Sequence, residues 1–315
     1  MNKYENLNVV VCNSGVEQIW DVEEDTCYVT YALNGRNSKI LSIIRKAWLK
    51  YRLPAKEIWY NKKVLELEGK GVLLDDDITE DYAAWLIRNN RKIQWNFYYW
   101  NLYEHYRIAP DTLRRLGYCL WSFDPNNCKQ FSLKFNPTFF CKSWYRGLKK
   151  ITHPTYDIVF IGRDKNGRMK QIKDLKERFK SYDISWNLYF TANKWYRRFC
   201  SKEYKPYLNF YKMLEQEMSA KAILDFSQDM QSSITCRVYD ALYNERKVIT
   251  NNVDIRKMNY YSPDNIFILD YDDDTRLEGF LKTPFKTISW ELLREHSCER
   301  WSRVICEGKS YTLNC

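Results

Sequence analysis

The chain has 315 residues, of which 45% are hydrophobic and 29% are charged, so we expect a folded protein rather than a disordered one. Its 50 basic and 40 acidic residues give a net charge of +10, which favours an anionic partner such as a phosphorylated ligand, nucleic acid or an anionic bilayer. No run of about 18 apolar residues is present, so we expect no membrane-spanning segment.

In the first half of the chain, strand and helix patterns alternate, which predicts a parallel sheet covered by helices. The predicted strands are residues 9–12, 28–32, 57–60, 71–74, 92–100 and 118–123. The predicted helices are residues 38–51, 81–89 and 110–116. A boundary is expected between about residues 140 and 154, where basic and aromatic residues replace the alternation and Pro154 follows.

The second half restarts the same alternation, so we predict an α/β protein of two Rossmann-like halves. Its predicted strands are residues 157–161, 185–190, 222–226, 247–250 and 265–269. Its predicted helices are residues 169–179, 208–220, 235–244, 275–281 and 290–304.

The segment 222–251 is the most informative part of the chain, because it reads as strand, polar turn, helix and strand. A polar turn that leaves a strand and opens a helix suits a phosphate-bearing ligand. Arg237 and Asp240 lie on the first turns of that helix, near any bound anion.

A second loop, residues 161–168, has the composition of a phosphate or sugar site. Gly162 permits close backbone approach, and Arg163, Lys165 and Arg168 supply cations. An exposed basic turn has the same composition, so the loop alone leaves both interpretations open. If both loops belong to one sheet, they are expected to converge.

Polar residues also follow three predicted strands of the first half, at residues 75–77, Asn101 and Asp124. Ligands of open α/β sheets bind at such strand ends. Helix capping is the alternative, and we prefer it for Asp77 and Asp81. No strong helix is expected after Asp124, so function and turn chemistry both stay open there.

Two acidic runs, residues 75–77 and 270–274, have the DxD spacing that can hold a divalent cation. A cation site needs oxygen ligands from converging elements, and for residues 270–274 we favour a solvated turn. The chain has three histidines, so few histidine ligands are available for a His/Cys metal site.

Aromatic residues make up 17% of the chain, which indicates either binding surfaces or a compositional bias. Six of them are candidates for stacking on sugars or bases, although a core position is favoured for aromatic strand residues. They are Tyr98, Tyr99, Trp100, Trp121, Trp144 and Tyr145. The last two lie in KSWYRGLKK, residues 142–150, whose basic and aromatic residues predict contact with an anionic membrane surface.

The cysteines and the amino-terminal residues indicate the cellular compartment. The 10 cysteines include no CxxC pair, and no apolar run follows a basic start. We therefore expect reduced cysteines in a cytoplasmic protein. The segment 142–150 would make it peripheral on the inner face of the membrane. The scattered basic residues and the lack of RNA-binding motifs argue against a nucleic-acid partner.

The segments AILDFSQ, QSSITCRVYDALYNERKVITNN and YYSPDNIFILD resemble the carboxyl-terminal domain of bacterial glycosyltransferases from capsule, O-antigen and exopolysaccharide gene clusters. DIVFIGRDKNGR resembles that family's Gly/Arg/Lys loop, and YYWN and WSFDPNNCKQF resemble its amino-terminal motifs. These similarities extend over about residues 72–280.

The resemblance implies a GT-B architecture, in which two Rossmann-like domains face a central cleft. Residues 1–150 would bind the acceptor, residues 151–285 the nucleotide-sugar donor, and a helix in residues 286–315 would cross back to the first domain. Such enzymes are usually metal-independent, so no cofactor or metal is expected beyond the nucleotide-sugar co-substrate. Transfer to a saccharide acceptor, expected to be lipid-linked, would serve cell-surface polysaccharide synthesis.

By position, the resemblance gives each candidate residue a role. Asp124 would be the acceptor-side base, and Arg237 would stabilise the departing diphosphate. Asp75, Trp100 and Asn101 would contact the acceptor. The donor-side residues are Gly162, Arg163, Lys165, Arg168, Gln231, Ser233, Thr235, Arg237 and Asp240.

Several residues depart from the family pattern. Met230 and Ser233 replace turn glycines, Asp240 replaces a Glu, Asn127 replaces an acidic residue and Phe131 replaces a Tyr. Side chains at the two former glycines restrict positive φ and backbone approach. A catalytically decayed partner subunit that still binds a nucleotide sugar or carbohydrate is therefore the alternative.

Overall fold

The computed structural model describes residues 9–12, 28–34, 38–51, 53–74, 78–102, 108–193, 195–199, 201–227 and 233–311. These residues form two compact units, one built from the chain up to Trp144 together with the segment from Ser297 onward, and the other from Tyr145–His296. The strands are β1 Val9–Cys12, β2 Tyr28–Tyr31, β3 Gly69–Leu73, β4 Ile93–Tyr99, β5 Cys119–Ser122, β6 Lys134–Phe135, β7 Tyr156–Asp164, β8 Trp186–Ala192, β9 Ala220–Asp225, β10 Lys247–Thr250 and β11 Ile266–Ile268. The α-helices are α1 Lys39–Lys50, α2 Glu80–Asn89, α3 Pro110–Leu116, α4 Pro125–Phe131, α5 Arg168–Arg178, α6 Phe210–Met218, α7 Cys236–Tyr243, α8 Leu277–Lys282, α9 Trp290–Leu293 and α10 Cys298–Glu307.

The strands described in the first unit form one sheet in the order β2-β1-β3-β4-β5-β6, and every neighbouring pair is parallel. Strand β4 lies inside this sheet, and its residues after Gln94 are all buried. A strand buried on both sides is typical of a parallel sheet covered on both faces. Trp95, Phe97 and Tyr99 pack into one core cluster, and Tyr98 on the opposite face contacts Trp301 of α10.

Gly71 of β3 allows the side chains of β4 to lie close to the backbone. A Cβ atom at this position would lie 2.6 Å from Cζ3 of Trp95 and 2.9 Å from Cγ2 of Ile93. Because Trp95 is buried, the Gly71→Ala variant is expected to lose about 1–3 kcal/mol of unfolding free energy through overpacking. Urea unfolding measures this loss.

The matched control for that variant is Gly279→Ala, in helix α8. No heavy atom lies within 4 Å of the Cβ position at Gly279. The control is expected to gain roughly 0.5–1 kcal/mol, because alanine restricts the unfolded chain and favours the helix. Equal effects of the two substitutions would contradict the packing argument.

The second unit's described strands form a parallel sheet in the order β11-β10-β9-β7-β8. From β7 the chain adds β8 on one side, and then β9, β10 and β11 on the other. The strand order therefore reverses between β7 and β9. In open α/β sheets, ligands bind outside the carboxyl ends of the strands at such a switch point. The two sheets confirm the predicted α/β class with two Rossmann-like units.

The sequence predictions differ from the structure at four elements. Residues 57–60 form a 3₁₀ turn, Lys56–Trp59, because Ala55 adopts φ 55° and starts a turn closed by the Ile58 amide. The predicted helix 290–304 is divided into α9 and α10, since Ser297 caps α10 and the Cys298 amide bonds to Phe140. Helix α4 and the two-residue strand β6 were not predicted.

The aromatic residues of the first unit are mainly core residues, as favoured. Tyr98, Tyr99 and Trp121 are fully buried. Trp144 and Tyr145 are also buried, at 1% and 8% exposure, so the predicted membrane contact through residues 142–150 loses its aromatic anchors. In the described part of the chain, the helices are too short or too polar to cross a bilayer.

Candidate functional site

The loop between β7 and α5 is fixed by the carboxylate of Asp164. This carboxylate accepts hydrogen bonds from the Met169 amide, at 3.0 Å, and from the Tyr204 hydroxyl, at 2.6 Å. Asn166 and Gly167 both adopt positive φ, which turns the chain so that α5 begins at Arg168. The loop therefore presents Arg168 at the carboxyl end of β7.

Gly162 lies near the end of β7, beside the ring of Phe160. A Cβ atom at Gly162 would lie 2.8 Å from Cζ of Phe160, so a larger residue would displace the ring. The guanidinium of Arg237 lies over the same ring, 5.9 Å from its centre. The glycine thus keeps open the space in which Phe160 and Arg237 stack.

Arg237 is held at the switch point by two hydrogen bonds. Its Nε donates to Glu217 at 3.1 Å, and its Nη2 donates to the Ile161 carbonyl of β7 at 2.9 Å. Its Nη1 makes no hydrogen bond to any described residue, and the side chain keeps 21% exposure. The structure therefore brings Arg237 to the end of β7, beside the 161–168 loop, with one guanidinium nitrogen available.

Arg168 lies in the same region, and its side chain makes no hydrogen bond or ion pair to any described residue. Its side chain is half-buried, and burial lowers its pKa. The positive charge of Arg237 lowers the pKa further, whereas Asp225 and Asp164 oppose this effect. Two guanidinium groups therefore lie within electrostatic range of each other, and an anion would relieve their repulsion.

Three buried carboxyl groups lie near Arg237: Glu217 on α6, Asp225 at the end of β9 and Asp240 on α7. Asp225 accepts hydrogen bonds from the hydroxyls of Thr235, at 2.8 Å, and Thr250, at 3.4 Å. Asp240 accepts one from the Tyr145 hydroxyl at 2.5 Å. Oε2 of Glu217 is buried and has no hydrogen-bond partner in the described chain.

The pKa of each of these carboxyl groups is raised, chiefly because burial disfavours the charged form. For Asp240 the pKa reaches about 8, and the negative charge of Glu217 adds to the effect of burial. Burial therefore favours the neutral form of Asp240, while Glu217 and Asp225 interact with Arg237, and Asp225 also interacts with Arg168. An arriving anion consequently does not meet a net negative site.

The amino terminus of α7 adds hydrogen-bond donors to this region. Thr235 is the N-cap residue, but its side chain caps no helix amide and instead donates to Asp225. The Val238 amide bonds to the Thr235 carbonyl at 3.2 Å, whereas the amides of Cys236 and Arg237 have no partner among the described residues. These two amides are available to a ligand, and the helix dipole favours an anion there. Ser233 lies just before this helix and is buried, with its carbonyl accepting from Asn252 at 3.1 Å.

The remaining donor-side candidates lie at the edge of this cluster or outside the described residues. Arg163 is exposed, with its guanidinium 5.9 Å from the centre of the Tyr207 ring, and Lys165 is half-buried. Gln231 and the departure at Met230 lie outside the described residues, as does the whole of residues 75–77 with the acceptor candidate Asp75.

Asp124 has a structural role in the first unit that the sequence left open. It is the N-cap of α4, and its carboxylate accepts the Asn127 amide at 2.9 Å while the residue is 1% exposed. The expectation that no helix follows Asp124 was wrong, because Pro125 suits the first helical position. Its role as a base stays a prediction.

The other acceptor candidates of the first unit are partly accessible. Trp100 is half-buried and packs against Phe139, with ring centres 5.0 Å apart. Asn101, the next residue, is also half-buried. Their contact with an acceptor stays a prediction.

The acidic run at residues 270–274 is engaged in local structure. Arg178 pairs with Asp270 and Asp274, both at 2.6 Å, and Asp272 accepts the Ile268 amide at 2.7 Å. Asp273 caps the following turn through the Thr275 amide. Among the described residues, no group of three or more His, Cys, Asp or Glu side chains is arranged to hold a metal ion.

Sequence reasoning missed Glu217, Asp225 and Tyr145 as members of this cluster. Asp225 carried a usable signal, because it is an acidic residue at the carboxyl end of a predicted strand. Glu217 carried none, since one acidic residue in an amphipathic helix is ordinarily solvated. Tyr145 was interpreted as a surface aromatic, whereas its hydroxyl bonds to Asp240.

Comparisons with known proteins leave the family open. No protein-family model and no curated protein matches this sequence. Among solved structures, the chain is similar to the apo form of WaaB, a lipopolysaccharide outer core galactosyltransferase, with 13% identity, a TM-score of 0.46 and coverage of 96% of this chain and 98% of that one. It is also similar to MnaA of S. aureus in complex with UDP, with 9% identity, a TM-score of 0.46 and coverage of 97% and 92%. Similarity at this level does not transfer either protein's activity to this chain.

Proposed function

We propose that the chain is a glycosyltransferase that moves a sugar from a nucleotide diphosphate sugar to a saccharide acceptor. The observation that carries the proposal is the pair of guanidiniums at the β7/β9 switch point, where Arg168 has no partner among the described residues and Arg237 keeps one free nitrogen. A diphosphate is an anion with the charge and hydrogen-bonding capacity to occupy this position.

The same arrangement suits the chemistry of glycosyl transfer. Negative charge develops on the diphosphate as the bond to the sugar breaks, and preorganised donors stabilise that charge. Arg237 is preorganised by Glu217 and the Ile161 carbonyl, and the α7 amides add further donors. These groups would stabilise the negative charge on the departing diphosphate, as a divalent cation does in other transferases, so the proposed reaction is metal-independent.

Asp240, whose neutral form is favoured by burial, would bind the uncharged part of the donor. Asp240 lies on the helix that carries Arg237, and the resemblance gives it hydrogen bonds to a ribose or sugar hydroxyl. The acceptor side remains as the sequence suggested, with Asp124 as the base and with Asp75, Trp100 and Asn101 near the acceptor. The two Rossmann-like units are those that a GT-B enzyme requires, and cell-surface polysaccharide synthesis with a lipid-linked acceptor is the proposed setting.

The Arg168→Gln variant tests the anion site. Loss of a charge-assisted hydrogen bond is expected to raise the Kd for nucleoside diphosphates about 10–100-fold, as measured by isothermal titration calorimetry. The matched control is Lys170→Gln, two residues along the same helix, where the lysine is exposed and pairs with Asp174 at 2.7 Å. Equal effects of the two substitutions would indicate a general loss of positive charge.

Catalysis is tested by incubating the protein with a panel of nucleotide sugars and measuring the release of nucleoside diphosphate. At least one donor is expected to be hydrolysed slowly without an acceptor and faster with a saccharide acceptor. Absence of release from every donor, together with absence of binding, would contradict the proposal.

A binding subunit without catalysis is the second candidate, and one observation favours it. The proposed base, Asp124, is buried and uses its carboxylate to cap α4. If this candidate is right, calorimetry detects donor binding that depends on Arg168, but no donor in the panel releases its nucleoside diphosphate.

A further inference from the structure

Helix α1 exposes an apolar stripe to solvent instead of burying it. Ile40 and Ile43 are 71% and 68% exposed, and Ile44 is 43% exposed. At 100° per residue these three side chains lie on one face of the helix, together with exposed Ala47. Isolated exposed apolar residues are ordinary, but a contiguous stripe of them indicates an interaction surface.

The opposite face of α1 attaches the helix to the first unit. Arg45 is buried and donates to the carbonyl of Asn34, and Nε1 of Trp48 donates to the Pro54 carbonyl at 2.9 Å. Leu49 packs against the core of the unit. The inward contacts therefore use side chains other than the isoleucines, whose exposure is compatible with a docked and folded helix.

Apolar exposure continues immediately after the helix. Tyr51 lies in line with the isoleucine stripe and is 68% exposed, and Leu53 and Ile58 are also exposed. We call the exposed side chains of Ile40, Ile43, Ile44 and Tyr51 the α1 face.

The charged residues of helix α1 itself are all positive. The helix sequence KILSIIRKAWLK contains four basic residues and no acidic one. Lys46 and Lys50 are both exposed and lie one turn apart along one edge of the stripe. Neither forms an ion pair with a described residue, and Lys50 lies over the ring of Tyr51.

We propose that the α1 face binds the surface of an anionic lipid bilayer. Isoleucine side chains would enter the boundary between headgroups and acyl chains, while lysine side chains would reach the phosphates. A second copy of the chain is a poorer occupant, because it would place two uncompensated basic helices against each other. We therefore place the membrane contact at the α1 face and not at residues 142–150, where Trp144 and Tyr145 are buried.

The proposal concerns attachment and does not depend on the transfer chemistry. It is tested by flotation with vesicles of about 30% phosphatidylglycerol in phosphatidylcholine, compared with pure phosphatidylcholine. The full chain is expected to float with the anionic vesicles at low salt and to be released at high salt, because the electrostatic attraction is screened. Absence of flotation with anionic vesicles at low salt would overturn the proposal.

Two sets of variants locate the binding surface. The triple variant Ile40→Gln, Ile43→Gln, Ile44→Gln is expected to lose about tenfold in partition coefficient for each isoleucine that enters the interface. Lys46→Gln and Lys50→Gln are each expected to lose about fivefold, on anionic vesicles only. Because all five side chains are exposed, circular dichroism is expected to show an unchanged fold.

The matched control removes exposed apolar residues from the second unit, through Phe199→Gln, Tyr207→Gln and Val253→Gln. This control is expected to bind vesicles as the unmodified chain does. Equal loss in the control and the isoleucine variant would show that the α1 face has no special role. A dimer in sedimentation velocity that the isoleucine variant abolishes would instead assign the face to a second copy of the chain and overturn the proposal.

Discussion

Replacement of Arg237 by methionine is expected to lower the free energy of unfolding by about 3 kcal/mol at pH 8. The cost arises because Glu217, whose side chain is 1% exposed, would lose the cation that compensates its buried charge. Among the described residues, Glu217 forms its ion pair with Arg237 alone, and its Oε2 has no hydrogen-bond partner. Its pKa is already raised by burial, so loss of Arg237 leaves the buried charge uncompensated. Urea unfolding followed by tryptophan fluorescence measures the loss.

The same variant is expected to be less destabilised at pH 5 than at pH 8. Without Arg237 the pKa of Glu217 rises further, and a protonated Glu217 carries no uncompensated charge at low pH. The double variant Arg237→Met, Glu217→Gln is therefore expected to be more stable at pH 8 than Arg237→Met alone. If the double variant is equally unstable, the buried pair is not the source of the effect.

A surface pair provides the matched control. Arg178 bonds to both Asp270 and Asp274, but its side chain is 36% exposed. Arg178→Met is expected to cost at most about 1 kcal/mol, since water solvates the carboxylates left behind. A comparable loss at Arg178 and Arg237 would mean that burial does not determine the cost.

The stability role of Arg237 affects how binding experiments are interpreted. A variant at Arg237 loses affinity either because the diphosphate loses a donor or because the site itself rearranges. The side chain of Arg168 has no hydrogen bond or ion pair to lose within the described chain, so its substitution separates these effects. For that reason the binding test uses Arg168 and the stability test uses Arg237.

The alternation of strands and helices was predictable because it depends on local periodicity. Strand β10 was predicted to the residue, and β9, α7 and α5 to within two residues at each end. The convergence of the 161–168 loop with Arg237 followed from one further rule, that parallel strands present their carboxyl ends at the same edge.

What the sequence left open depends on contacts between distant residues. The partner of Arg237 is Glu217, which lies twenty residues earlier on another helix, and no spacing rule connects the two. Tyr145 lies in a basic segment that looks like a surface patch, yet its hydroxyl reaches Asp240 95 residues later. Helix α4 was missed because its sequence, PNNCKQF, is short and polar, and its start depends on the Asp124 cap.

Burial of Asp240 is expected to make the protein less stable as the pH rises through neutrality. Asp240 keeps its proton in the folded state up to about pH 8, whereas an unfolded aspartate loses it near pH 4. Between these two values the folded state binds more protons than the unfolded state, so the free energy of unfolding falls with increasing pH. One such retained proton contributes a slope of about 1.4 kcal/mol per pH unit.

The Asp240→Asn variant removes this titration while leaving an oxygen to accept the Tyr145 hydroxyl. Its free energy of unfolding, measured between pH 5 and 7.5, is expected to fall less steeply than that of the unmodified chain, by about 1.4 kcal/mol per pH unit. The slope that remains would come from Glu217 and Asp225, whose pKa values are also raised.

The control for this titration is an aspartate whose pKa is shifted the other way. The Thr275 amide lowers the pKa of Asp273, so its contribution to stability is lost only as the solution becomes acidic. Asp273→Asn is therefore expected to leave the slope between pH 5 and 7.5 unchanged. If Asp240→Asn also leaves the slope unchanged, then Asp240 is ionised in the folded protein, and the site would carry an additional negative charge that opposes diphosphate binding.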